Sequence, residues 1–102
     1  MMVTLTKNNI NSEIQEGLIL VDVWAPWCPP CRAMEPILEV VAEELEGKAR
    51  IGKLNADDEM EVASKLGVTG LPTFLVFKDG ELVARQSGMM QKDRLIELVL
   101  KA

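Results

Sequence analysis

Histidine is absent from the 102 residues, and cysteine occurs only twice, at Cys28 and Cys31. Without histidine there is no imidazole acid–base catalyst and no imidazole metal ligand. Two cysteines are too few for the disulfide framework of a small secreted scaffold. They are also too few for a zinc site, which prefers four nitrogen or sulfur ligands, so only a second copy of the chain would complete one. Basic excess is missing as well: 11 Lys and Arg stand against 16 Asp and Glu, for a net charge of -5. That balance excludes the basic footprint of a nucleic-acid binder. The longest apolar run, Leu18 to Ala25, is too short to span a bilayer and carries Asp22. No repeat, low-complexity stretch or charged tail is present. The opening residues lack a basic segment followed by an apolar one. The expectation is a single domain over residues 1–102, in the cytoplasm and away from membranes and nucleic acid.

What is present is an alternation of strand-like and helix-like segments. Residues 18–24 form a nearly continuous apolar run, as in a strand covered on both faces. Met34, Ile37, Leu38, Val41 and Leu45 recur at helical spacing between glutamates. Pro30 falls near the start of this helix, where a missing N–H costs little. Pro36 falls inside it and predicts a kink, and Gly47 predicts its end. A strand is predicted over 50–55. A short helix is predicted over about 57–66, with Met60, Ala63 and Leu66 on its buried face. A strand follows over 73–77, then a tight turn at Asp79-Gly80 and a strand to about residue 86. A terminal helix over 91–101 packs through Leu95, Ile96, Leu98 and Val99. A strand over 3–6 and a helical turn near 10–14 open the chain. The order β-α-β-α-β-α-β-β-α implies an α/β fold, with a mixed central sheet flanked by helices on both faces.

The cysteines lie in Trp27-Cys28-Pro29-Pro30-Cys31, at the carboxyl end of the first long strand and the start of a helix. Open α/β sheets carry their chemistry at such ends. Free N–H groups at a helix start favour a thiolate, so Cys28 is the candidate nucleophile. Cys31, one turn later, is close enough to close a ring. Pro29 and Pro30 have no N–H, which leaves the Cys31 N–H as the first donor able to point at the Cys28 sulfur. Trp27 and Pro26 suggest a surface loop with Cys28 exposed. The competing readings are a structural staple, half of a shared zinc site, or a pair of inert buried thiols. A staple across so short a loop contributes only about 2 kcal/mol.

Asp22 places a charge within a buried strand, which is costly unless it has a partner or a role. Burial raises the pKa of a carboxyl and makes Asp22 a candidate acid–base group. The alternative is an aspartate at an exposed strand end. Lys53 alternates with Ile51 on the next strand and is placed near Asp22, where it would favour the ionised carboxylate. The alternative is a lysine that snorkels to the surface. Pro72, at the first position of a strand, is read by default as an ordinary trans proline.

Taken together, Val21 to Ala25, the Trp-Cys-Pro-Pro-Cys segment, Pro36, Lys53 to Asn55, Leu71-Pro72-Thr73, Asp79-Gly80 and Gly88 resemble the thioredoxin family from end to end. The resemblance implies the thioredoxin fold and reduction of protein disulfides through a reversible Cys28–Cys31 pair. It implies a cis Pro72, and a partner-binding groove formed by Trp27, Leu71, Pro72, Gly88 and Met89. It implies a thioredoxin reductase and oxidised proteins as partners, a monomer, and no resident cofactor or metal. Pro29 stands where the family usually has glycine. Residues between the cysteines help set the reduction potential, so Pro29 and Pro30 are expected to tune it. The expected sequence of events has Cys28 attack, Asp22 with Lys53 receive the proton of Cys31, and Cys31 resolve. Two other readings remain at this level: a disulfide oxidase or isomerase, and a non-catalytic subunit of the same fold.

Overall fold

Apolar runs with period two and apolar stripes with period 3.6 have to bury against one another, and here they do so in layers. The structure, a computed structural model, describes residues 2–102. Its elements are β1 (Met2–Leu5), α1 (Ile10–Glu13), β2 (Leu18–Trp24), α2 (Pro29–Ala33), α3 (Glu35–Glu44), β3 (Arg50–Asn55), α4 (Met60–Lys65), β4 (Thr73–Lys78), β5 (Glu81–Ser87) and α5 (Lys92–Leu100). The strands form one sheet in the order β1-β3-β2-β4-β5. β1 and β2 both pair with β3 in parallel, and the β2–β4 and β4–β5 pairs are antiparallel.

β2 is central and its apolar residues are buried on both faces. Alternate residues therefore feed two separate cores. Leu20 joins Phe74 and Val76, covered by Met34, Leu38, Val41 and Leu45 from the α3 region and by Leu95 and Val99 of α5. Ile19, Val21 and Val23 join Leu54, Leu75 and Phe77, covered by Ala63 of α4 with Val62 and Leu66. Each fully buried Leu, Ile or Phe contributes about 2 kcal/mol relative to its exposed state. Gly52 of β3 is needed because a Cβ there would come within 2.5 Å of Leu5.

The hairpin between β4 and β5 turns on Asp79 (φ 50) and Gly80 (φ 89), both with positive φ, as a two-residue turn between twisted strands requires. Several boundaries move from their predicted places. The single kinked helix is two helices that break at Met34, one residue before Glu35-Pro36. There the Met34 N–H is shared between the carbonyls of Pro30 and Cys31. The first strand covers Met2–Leu5 instead of 3–6. α4 begins at Met60, three residues late, because the Asn55 side chain accepts from the Asp57 N–H at 2.9 Å and holds a turn. With that shift Met60 does not face the core: it is 71% exposed. Among the described residues no helix is long and apolar enough to cross a membrane.

Candidate active site

The end of β2 delivers Ala25, and the chain then turns through Pro26 and Trp27 into α2. The Cys28 N–H donates to the Ala25 carbonyl at 3.2 Å, closing the turn. Cys28 is the cap of α2, with Pro29 and Pro30 in its first turn. Neither proline has an N–H to offer, and the Cys31 N–H donates to the Cys28 sulfur at 3.3 Å. The two sulfurs are joined as a disulfide, with Cα atoms 5.3 Å apart. Cys28 was expected to be exposed, and this is corrected: it is 3% exposed and Cys31 is 2%. The reason is tertiary. Ala25 is buried with the pair, and Trp24 and Leu71 pack against it. Trp27 takes the outer position instead, 66% exposed, with its indole N–H donating to Asp57 Oδ1 at 3.0 Å.

Asp22 lies two residues beyond Leu20 on the same face of β2, in register with Lys53 on β3 and Phe74 on β4. It is 1% exposed, and among the described residues its Oδ1 has no hydrogen-bond partner. Burial pushes its carboxyl up to about 7, the Lys53 charge pulls it partly back, and Glu35 adds to the rise. Asp22 is thus the buried aspartate read from the sequence, not an exposed strand end. Lys53 is near it, as expected, but its ammonium is hydrogen-bonded to Glu35 Oε1 and lies 4.4 Å from the centre of the Trp24 ring. Its side chain is largely covered, and its ammonium reaches the part-exposed Glu35.

The Leu71–Pro72 peptide bond is cis. The Pro72 carbonyl accepts from the Gly88 N–H at 2.8 Å, and Thr73 Oγ1 donates to the Gly70 carbonyl at 2.6 Å. The first bond ties the segment carrying Leu71 and Pro72 to the one carrying Gly88, and the second closes the Gly70–Thr73 turn on itself. Met89 is exposed and lines a groove of about 640 Å³ between β5 and α5, with Ala84, Met90 and Leu98. A second groove of about 620 Å³ is lined by Asp57, Met60, Val62 and Leu66. Neither is lined by the cysteines. Sequence reasoning missed Glu35 and Asp57. The only signals were an acidic residue one helical turn beyond Cys31 and another two residues after Asn55. Their partners, Lys53 and Trp27, lie 18 and 30 residues away.

A cysteine pair that closes on itself across one helical turn has a ready chemistry, exchange with another disulfide, and the fold presents that pair at the end of its central strand. The protein is a thiol–disulfide oxidoreductase. The family model described as Thioredoxin matches residues 1–101. The chain is 43% identical over 100 residues to thioredoxin of Bacillus subtilis, covering 98% of this chain and 96% of that protein. It is equally similar to thioredoxin of Staphylococcus saprophyticus, 43% over 100 residues with the same coverage. Among solved structures, a mutant thioredoxin from Halobacterium salinarum superposes with a TM-score of 0.90 at 30% identity, over 98% of this chain and 88% of the other. The chain belongs to the thioredoxin family.

Proposed function

We propose that this single-domain protein is a cytoplasmic protein-disulfide reductase, an electron carrier between a thioredoxin reductase and oxidised proteins. The observation that carries this reading is the bond from the Cys31 N–H to the Cys28 sulfur, at the start of a helix and beside the exposed Trp27. An N–H aimed at a sulfur stabilises the thiolate, which is the attacking species. Exchange then runs in two balanced steps. The Cys28 thiolate attacks one sulfur of a partner disulfide, forms a mixed disulfide and expels the other partner sulfur as a thiolate. Asp22, through a bridging water, accepts the proton of Cys31. The Cys31 thiolate attacks the Cys28 sulfur, restores the Cys28–Cys31 disulfide and releases the second partner sulfur. Two electrons pass to the partner, and the reductase returns them. Trp27, Leu71, Pro72, Gly88 and Met89 supply the contact surface for the partner. Pro29 and Pro30 shape the turn and tune its potential.

The roles of the two cysteines predict opposite behaviour. Cys31→Ser accumulates a stable mixed disulfide with an oxidised protein substrate, and Cys28→Ser forms none. Mass spectrometry of each variant after mixing with oxidised insulin reads the result. Equal trapping by both variants would overturn the assignment.

A further inference from the structure

Asp22 and Lys53 are neighbours in the parallel register of β2 and β3, so their side chains leave the sheet on one face. A lysine so placed would be expected to turn its ammonium to the buried carboxylate. Lys53 does not. Its Nζ is hydrogen-bonded to Glu35 Oε1 at the start of α3 and sits 4.4 Å from the Trp24 ring centre. The Asp22 Oδ1 is left buried and, among the described residues, without a hydrogen-bond partner. Two charged groups act on Asp22: Lys53 from β3 and Glu35 from α3. The β4 neighbour in register is Phe74, which carries no charge.

We propose that Glu35 is a positioning residue for the exchange reaction: it holds the Lys53 ammonium off Asp22 and over Trp24, and so keeps Asp22 a strong enough base to take the Cys31 proton. The inference rests on the reading of Asp22 as proton acceptor. Glu35 offsets part of the Lys53 charge felt by the carboxylate, the lysine being the stronger of the two. Without Glu35, a full positive charge in a largely covered site would stabilise ionised Asp22 and make it a weaker base. A base works best when its proton affinity matches the working pH, and burial alone with an unopposed lysine would miss that match. Glu35 is itself 41% exposed, so its loss leaves the core untouched.

The test follows the Asp22 carboxyl by carbon NMR across the neutral range in the oxidised protein, where neither cysteine titrates. The proteins compared are the parent, Glu35→Gln, Lys53→Met and the double variant. Glu35→Gln should lower the titration midpoint by about one pH unit. The acid limb of the pH–rate profile for insulin reduction should move with it. Glu35→Asp should restore most of the shift. In the Lys53→Met background Glu35→Gln should move the midpoint less, because only the direct charge of Glu35 on Asp22 remains and its hold on the lysine is gone. An unchanged midpoint in Glu35→Gln, or an equal shift in both backgrounds, would overturn the proposal. Asp22→Asn separates the two failures. If it leaves the pH–rate profile unaltered, the acceptor reading falls and this inference with it. If it abolishes the profile while Glu35→Gln leaves the midpoint in place, only the role of Glu35 falls.

Discussion

Asp22 and Lys53 stand opposite each other in the β2–β3 register, yet the carboxylate keeps an oxygen without a hydrogen-bond partner among the described residues. A buried carboxyl in that condition favours its protonated form. Its pKa rises from 3.8 to about 7, with burial as the main cause. The folded state therefore binds this proton more tightly than the unfolded chain does. The associated stability is fully present below the unfolded value and is lost as pH rises through the folded one. Between about pH 4 and 7 the parent should lose stability on the order of 4 kcal/mol from this group. Asp22→Asn, close in shape to the protonated acid, should match the parent at the acid end and exceed it above neutrality. Urea midpoints across pH measure both curves. A parent whose stability does not decline over that window would refute the assignment.

The contact of Trp27 with Asp57 orders an exposed ring, and its effect should be on partners, not on the fold. A single exposed hydrogen bond contributes about 1 kcal/mol or less, so Asp57→Ala should unfold at nearly the parent temperature. Trp27→Ala should raise KM for insulin by about tenfold, the loss of one aromatic anchor worth about 1.4 kcal/mol. Its reaction with dithiothreitol, too small to use the ring, should be unchanged. Steady-state kinetics with insulin as the oxidised substrate and with dithiothreitol as the small reductant decides. Equal losses with both would mean that the ring supports the cysteines instead of the partner.

Gly88 and Gly70 make a paired test of the loops beside Pro72. A Cβ at either would meet nothing within 4 Å. Only Gly88 has the left-handed backbone, φ 90, while donating to the Pro72 carbonyl. Gly88→Ala should therefore cost about 1 kcal/mol through backbone conformation alone. It should also slow insulin reduction. Gly70→Ala should be near neutral in both. Denaturant titrations of the two variants compare them directly, and equal stability would remove the backbone argument.

Local patterns carried most of the elements. β3 covers the predicted Arg50–Asn55. The Asp79-Gly80 turn follows from residues that tolerate positive φ. The Cys31 N–H reaches the Cys28 sulfur because two prolines leave no earlier donor, which is arithmetic on five consecutive residues. The Pro36 kink was legible, though its place at Met34 depended on hydrogen bonding along the turn. Asp22 stood out because an apolar strand has no other reason to hold a charge.

Pairings between distant segments were settled only by the packed structure. Met60 fits the apolar stripe of a helix beginning near residue 57, but the Asn55 turn delays that helix and leaves Met60 in solvent. Cys28 looks exposed from its prolines and tryptophan, and the approach of Leu71 from a loop more than forty residues later covers it. Lys53 has two carboxylates within reach of its strand, and the seating of α3 on the sheet decided for Glu35 over Asp22. Sequence period determines which face a side chain occupies, since strand and helix geometry repeat locally. It does not determine which neighbour that side chain meets, because that depends on how the layers pack and on which charges the packing leaves out of water.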